Sequence, residues 1–105
     1  MKVIAVTACP SGVAHTYMAA EALEKAAKQE GIEIKVETQG SIGIENELTQ
    51  EDIMSADVVI LTKDMGIKNE ERFKGKTIVR VGVSDAIKKA PALMKKIKAH
   101  IESKK

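Results

Sequence analysis

Short apolar runs alternate with stretches of helical spacing along this chain. Strand-like runs occupy residues 2–7, 32–38, 57–62 and 77–83. Between the first two runs, apolar side chains return every three or four residues, as one face of a helix requires. Those apolar positions are Ala19, Ala22, Leu23, Ala26 and Ala27. Strands that alternate with helices are typical of a parallel α/β sheet.

The apolar content of each run predicts its place in the sheet. Central strands of a parallel sheet are covered on both faces and read as unbroken apolar runs, as residues 3–6 and 58–61 do. The second run alternates polar with apolar residues, and the fourth is interrupted by Arg80 and Gly82, so both are predicted to be edges. We therefore expect a Rossmann-like α/β fold: an open, parallel, four-stranded sheet in the order 2-1-3-4, with helices on both faces. That order places a topological switch between the first and third strands, where such sheets bind ligands beyond their carboxyl ends.

Capping residues predict where the helices begin and end. Gly31 is expected to end the first helix, because glycine readily adopts the left-handed conformation found there. Thr49 can cap a short helix that runs to about Ser55, with Asp52 completing a capping box. Residues 69–73 are expected to form one further helical turn.

The last segment predicts a helix with a basic outer face. It opens near Ser84 and Asp85, which we expect to act as caps, and Pro91 fits its first turn. Residues 86–105 carry seven Lys against one Glu, a net charge of +6. We interpret these lysines as a solvent-facing surface, since cations are favoured near the C-terminal end of a helix. A docking surface for an acidic partner is the alternative.

The composition excludes several classes of function. With 17 basic and 15 acidic residues the net charge is +2, too even for a general nucleic-acid or membrane-surface binder. Tyr17 and Phe73 are the only aromatic residues, which leaves no platform for base stacking. The core must therefore be aliphatic, with the five methionines filling gaps. The length of 105 residues fits one compact domain that spans residues 1–105.

The cysteine and histidine counts limit the metal and redox chemistry. Cys9 is the only cysteine, so no internal disulfide can form, and His15 and His100 are too few to complete a closed Cys/His zinc site. The sequence has no Walker or G-x-G-x-x-G signature, and we predict neither a metal nor a cofactor. The first apolar run is short for a signal peptide, and no run approaches the roughly 20 residues of a membrane span. We expect a cytoplasmic location.

The connection between the first strand and the first helix carries the candidate chemistry. Its backbone N–H groups and the helix dipole should converge near Cys9, and no Asp or Glu precedes Glu21, so the segment favours an anion. A cysteine at a helix N-terminus has a pKa below the usual value of about 8.5, and the thiolate is the nucleophile. Cys9 is therefore the candidate catalytic residue. The predicted phosphate-binding residues are Pro10, Ser11, Gly12, Val13, Ala14, His15 and Thr16.

Other chemistries stay open for this segment. A lone cysteine can be a small buried apolar residue, and the loop could instead serve a regulatory module as an anion sensor. Cysteine-dependent phosphatases place an Arg six positions after the cysteine, where this chain has His15. The missing Arg favours a phosphocysteine that waits for an acceptor over one that water hydrolyses. A stand-alone phosphatase, with Asp64 as its general acid, is the alternative.

A second distinctive segment, residues 39–48, leaves the end of the second strand and contains two glycines. The predicted strand order places it beside the crevice, together with the loop at 62–66. Loops at such positions commonly contact ligands or partners. The candidate crevice residues in these two loops are Gln39, Gly40, Ser41, Lys63 and Asp64.

Two segments resemble a known family. Residues 6–20 read V-T-A-C-P-S-G-V-A-H-T-Y-M-A-A. They are similar to the signature of the fructose-type enzyme II B component of the bacterial phosphoenolpyruvate-dependent sugar phosphotransferase system. Residues 36–43 resemble a second segment of that family, and the likeness covers nearly the whole chain. Ser11 stands where many relatives have Thr, which keeps the hydroxyl group.

The resemblance implies a phosphotransferase that acts as a phosphoryl carrier. Cys9 would accept a phosphoryl group from a phosphohistidine of the A component and pass it to a sugar held in the membrane-embedded C component. Backbone N–H groups of residues 11–16 would hold the transferring group without a metal. Fructose is the expected sugar, with mannosylglycerate as the alternative. The implied partners are those two proteins and no nucleic acid, and the domain is expected to be monomeric.

Overall fold

A computed structural model of the chain describes residues 1–8, 13–40, 43–64 and 66–103. Five strands in these ranges form one sheet: β1 (Lys2–Thr7), β2 (Glu33–Gly40), β3 (Gly43–Glu45), β4 (Val58–Thr62) and β5 (Ile78–Val81). Their order across the sheet is β3-β2-β1-β4-β5. All neighbouring pairs are parallel except β2 and β3, which are antiparallel.

Helices cover both faces of this sheet. They are α1 (Val13–Gln29), α2 (Gln50–Ser55), α3 (Val83–Lys88) and α4 (Ala90–Ser103), with a 3₁₀ turn at Glu70–Phe73. Side chains of α1, α3 and α4 form one apolar cluster with the sheet, and the 3₁₀ turn and the segments flanking α2 form a second one. Successive residues of β1 point to opposite faces, so Val3 and Ala5 join the first cluster while Ile4 and Val6 join the second.

The predicted order of the four parallel strands is confirmed, but the predicted strand count is wrong. The structure adds β3, which pairs Gly43 with Gly40 and Glu45 with Thr38 at the outer side of β2. All three residues of β3 are exposed, so this strand leaves no apolar pattern in the sequence. Consequently β2 is not an edge strand over its last three residues, whereas the prediction of β5 as an edge is confirmed.

The predicted C-terminal end of α1 and the predicted start of α2 are confirmed. Gly31 follows α1 with a φ of +68°, a left-handed conformation that suits glycine. At the start of α2, the Asp52 N–H donates to the Thr49 hydroxyl at 3.1 Å, and the Thr49 N–H donates to the Asp52 carboxylate at 2.9 Å. These two bonds complete the predicted capping box. The helical turn predicted at residues 69–73 is present as the 3₁₀ turn.

The single helix predicted near the C-terminus is two helices, separated at Lys89. Pro91 lies in the first turn of α4, as predicted, and its missing N–H cannot continue the hydrogen bonds of α3. Gly82, with no side chain, occupies the N-cap position of α3. Ser84 and Asp85 lie inside the first turn of that helix, so the prediction that they act as caps is wrong.

The outer surface bears out the solvent-facing lysines and corrects the interpretation of the methionines. Four of the seven lysines are exposed and Lys98 is half-buried, while Lys104 and Lys105 lie outside the described residues; the exposed ones are Lys88, Lys89, Lys95 and Lys96. Met94 is fully buried, but Met18 is 49% and Met54 71% exposed, so those two do not fill gaps in the core. Within the described residues, no helix has the length and apolar character needed to cross a membrane.

Candidate functional site

A side chain of β4 is hydrogen-bonded to the residue that directly follows β1. Thr62, the last residue of β4, accepts a hydrogen bond from the Ala8 N–H at 2.9 Å and donates one to the Ala8 carbonyl at 3.1 Å. Both residues are buried. The predicted site residues that lie outside the described ranges are Cys9, Pro10, Ser11, Gly12 and Ser41. The site is therefore built from the residues on either side of them.

The first turn of α1 is tied to the same end of β1. The Thr7 hydroxyl donates to the Thr16 carbonyl at 3.1 Å, and both threonines are buried. Val13 begins the helix, and Ala14 and His15 are exposed beside it. The first N–H groups of a helix have no partner within the helix, and this turn contains no acidic residue. The turn can therefore present donors to an anion, as the sequence predicts.

A cavity of about 400 Å³ opens beside the first turn of α1. Its wall brings together His15 and Asp64, two predicted residues that are far apart in the sequence. The other lining residues are Met18, Val83, Ser84, Ile87 and Lys88. Apolar and polar side chains therefore share the lining of this cavity.

Asp64 has a structural contact that local sequence patterns do not indicate. Its Oδ2 accepts a hydrogen bond from the Val83 N–H at 3.0 Å, at the first residue of α3. Asp64 therefore supplies the cap that Gly82 lacks. Lys63 precedes it with an exposed side chain, and its N–H donates to the Val81 carbonyl of β5 at 2.9 Å. The carboxylate proposed as a general acid for a phosphatase is held at a helix end.

Gln39 is buried near the end of β2 and makes three side-chain hydrogen bonds. Its Oε1 accepts from the Lys68 N–H at 2.9 Å, while its Nε2 donates to the Lys68 carbonyl at 3.1 Å and to Glu37 Oε2 at 2.8 Å. Only 8% of Gln39 is exposed. Gly40, the next residue, is half-buried and pairs with Gly43. These bonds join the end of β2 to the segment that follows β4.

Glu37 is the important residue that the sequence analysis missed. It is fully buried on the face of the sheet opposite α1, where it contacts the Arg72 guanidinium and accepts from the Leu48 N–H at 2.9 Å. Burial by itself raises the pKa of Glu37, but the hydrogen bonds from Arg72, Leu48 and Gln39 outweigh it and lower the pKa below its usual value. The sequence did hold a signal that could have identified Glu37: it is an acidic residue in the part of β2 that is buried.

Metal ligands are not grouped in the described part of the chain. Across residues 1–8, 13–40, 43–64 and 66–103, no three His, Cys, Asp or Glu side chains are placed to hold one metal ion. Near the end of β1, the described part of the chain offers the first N–H groups of α1 and the His15 side chain. Such groups are suited to hold an anion by hydrogen bonds.

Fold and site together define an open α/β domain whose candidate site lies at the carboxyl ends of its central strands. The comparisons with known proteins identify the family. The family described as "PTS system, Lactose/Cellobiose specific IIB subunit" matches residues 4–96, and the chain belongs to the enzyme IIB components of the sugar phosphotransferase system.

Relatives narrow this membership to the fructose type. The chain is 77% identical over 100 residues to "PTS system fructose-like EIIB component 2" of Escherichia coli (strain K12), which covers 95% of this chain and 94% of the relative. The solution structure of an enzyme IIB subunit of the PTS system from Escherichia coli K12 matches with a TM-score of 0.91 and 45% identity, over 98% of this chain and 95% of that one. The resemblance found in the sequence is therefore confirmed.

Membership of this family establishes the general function of the chain. The chain is a phosphoryl-relay subunit for sugar import, a phosphotransferase that works with other components of its system. One relative, "PTS system fructose-specific EIIB'BC component" of Xanthomonas campestris pv. campestris, is 47% identical over 95 residues, which are 90% of this chain and 16% of that protein. The relatives do not favour the stand-alone phosphatase.

Proposed function

We propose that Cys9 carries the phosphoryl group in this relay, as a phosphocysteine. The observation that supports this role best is the double hydrogen bond between Thr62 and Ala8, the residue directly before Cys9. It fixes the chain where β1 ends, at the switch point between β1 and β4. The first turn of α1, with no acidic residue to repel a thiolate or a phosphate, begins at Val13.

The transfer consists of two displacements at phosphorus. In the first, the Cys9 thiolate attacks, an S–P bond forms, and the P–N bond to the donor histidine breaks with its electron pair going to the imidazole. In the second, a sugar hydroxyl oxygen attacks the phosphocysteine, an O–P bond forms, and the sulfur leaves as thiolate. The hydroxyl proton passes to a base beside the acceptor sugar. No oxidant or metal is needed for either step.

Backbone donors hold the phosphoryl group during both steps. The loose transition state spreads charge over three equatorial oxygens, and the N–H groups of residues 11–16 supply hydrogen bonds to them. Among the described residues, the first turn of α1 supports this arrangement, since Thr7 anchors it to the end of β1 through the Thr16 carbonyl. His15, exposed on the same turn, adds a further donor.

The proposed partners are the two other components of the relay. The A component donates from a phosphohistidine, and the membrane-embedded C component holds the sugar that accepts. The name of the Xanthomonas relative, which joins B and C components, supports a C component as partner. Fructose is the proposed sugar, with mannosylglycerate as the alternative, and we propose that the chain acts in the cytoplasm as a monomeric domain without a cofactor.

Intact-mass spectrometry after incubation with a phosphorylated A component tests the role of Cys9. The expected result is one phosphate-sized adduct that peptide mapping assigns to Cys9 and that Cys9→Ser abolishes. Cys9→Ser changes one sulfur to oxygen, so circular dichroism should show an unchanged fold. An adduct on His15 or His100, or an adduct that persists in Cys9→Ser, contradicts the proposal.

A further inference from the structure

We propose that Thr62 is a positioning residue for phosphoryl transfer: its hydroxyl sets the direction in which the main chain leaves β1 and enters the reactive segment. This inference rests on the proposed role of Cys9. It concerns a residue that contacts neither the phosphoryl group nor the sugar and acts only through Ala8.

The two central strands separate at Thr62. The residue pairs of β1 and β4 run from Val3 with Val58 to Val6 with Leu61. Beyond them the main chain of β4 continues to pair with β5, as the Lys63 N–H donates to the Val81 carbonyl. Among the described main-chain hydrogen bonds, none joins Ala8 to β4. The Thr62 hydroxyl instead satisfies both the N–H and the carbonyl of Ala8.

The bond to the Ala8 carbonyl reaches the next residue through covalent geometry. The carbonyl of Ala8 and the nitrogen of Cys9 belong to one peptide group, which is planar. A hydrogen bond that orients this carbonyl also orients the N–H of Cys9 and the bond to its Cα. Through this peptide group, the Thr62 hydroxyl acts on the residue that carries the thiol.

Burial makes the hydroxyl hard to replace. Thr62 and Ala8 are each 1% exposed, so water has little access to either polar group of Ala8 if the hydroxyl is removed. An unsatisfied buried N–H and carbonyl are costly, and the main chain moves to find other partners. Valine has the shape of threonine without the oxygen, whereas serine keeps the oxygen and loses a methyl group. A comparison of the valine and serine variants therefore separates the effect of the lost hydrogen bonds from the effect of the lost packing.

Thr38 offers a matched control. It is a buried threonine of β2, 4% exposed, whose hydroxyl has no hydrogen-bond partner within the described residues. Thr38→Val is therefore the same chemical change in the same sheet without the loss of a bond. Because Cys9 is the only cysteine, alkylation by iodoacetamide at different pH values reports on its thiolate alone.

The experiment compares Thr62→Val, Thr62→Ser and Thr38→Val in the full chain, with the phosphorylated A component as donor. We expect Thr62→Val to slow phosphoryl transfer by about tenfold or more, because small displacements of a reacting group are costly. We also expect its alkylation profile to move to higher pH. Thr62→Ser should keep most of the transfer rate, and Thr38→Val should leave the rate and the profile unchanged.

Several results would overturn the inference. They are a folded Thr62→Val with the wild-type rate and profile, an equal effect of Thr38→Val, or no recovery in Thr62→Ser. If Thr62→Val does not fold, Thr62→Ala and Thr38→Ala replace the valine pair and are judged in the same way. Cys9→Ser, measured in parallel, separates the two proposals: its continued phosphorylation refutes the role of Cys9, whereas its inactivity beside a normal Thr62→Val refutes only the role of Thr62.

Discussion

The Glu37 carboxylate and the Arg72 guanidinium form a paired contact, with Nη1 2.8 Å from Oε1 and Nη2 2.6 Å from Oε2. Glu37 is fully buried, while the Arg72 side chain is 16% exposed and its guanidinium carbon lies 4.7 Å from the centre of the Phe73 ring. Such paired Arg–carboxylate contacts are stronger and more directional than single bonds. Through Gln39, the pair also holds the last residues of β2 beside the segment that follows β4.

Arg72→Leu should destabilise the fold strongly. The substitution leaves the Glu37 carboxylate buried without its cation, and a broken buried ion pair costs about 3–5 kcal/mol. Urea unfolding measures the loss. Arg80→Leu is the matched control, since it breaks the exposed pair with Glu70 and should change the unfolding free energy little. Equal effects of the two substitutions would contradict the importance assigned to the buried pair.

Acid should destabilise the protein through Asp52. Hydrogen bonds from Lys35, the Thr49 N–H and Lys2 hold the pKa of Asp52 well below its ordinary value. A carboxylate with a lowered folded-state pKa stabilises the fold above its unfolded-state pKa of about 3.9, and this contribution disappears as the pH falls through the folded-state value. Melting temperatures measured from pH 7 downward should therefore drop in the acid range. Asp52→Asn should flatten this drop, and an unchanged acid limb would refute the assignment.

Asp64→Ala should destabilise the protein, and Ser84→Ala should not. Asp64 caps the Val83 N–H, and the loss of a helix cap costs about 1 kcal/mol. Ser84 lies within the first turn of α3, whose N-cap residue is Gly82. Thermal melts of the two variants, side by side, decide between the structural cap and the cap predicted from sequence. A larger effect of Ser84→Ala would mean that the cap is misassigned.

His15→Ala should slow phosphoryl transfer and leave the fold intact. His15 is exposed on the first turn of α1 and lines the cavity beside the crevice, so its removal creates no void in the core. Removal of one donor to a developing charge commonly slows a reaction by on the order of a hundredfold. Transfer rates measured with thermal melts test this role. A lowered melting temperature with a normal rate would show that His15 only packs.

Local patterns in the sequence predicted most of the fold. The unbroken apolar runs at residues 3–6 and 58–61 identify the two central strands, because only strands covered on both faces tolerate such runs. The capping box of Thr49 and Asp52 and the left-handed turn at Gly31 are equally local, and the structure contains both. The motif around Cys9 identified the family, although the residues of that loop lie outside the described ranges.

Contacts between distant segments were not predictable in the same way. Glu37 and Arg72 are 35 positions apart, and Thr62 and Ala8 are 54 apart, so no shared element or period connects the partners. Strand β3 was missed because its residues are all exposed and it depends on pairing with β2. Each of these features depends on which distant segments meet in the folded chain, and local sequence patterns do not show that.

The two ends of the sheet should respond differently to ionic strength. At the amino end of β1, Lys2 is bound to Asp52 by a salt bridge of 3.0 Å, and Lys35 joins the same carboxylate. At the carboxyl end, the contacts are hydrogen bonds of the uncharged Thr7 and Thr62 hydroxyls to the main chain that follows the strand. Dissolved ions screen partly exposed charges and scarcely affect buried neutral bonds. Concentrated salt should therefore loosen the contacts at the amino end of β1, while the hydrogen bonds at its carboxyl end stay intact.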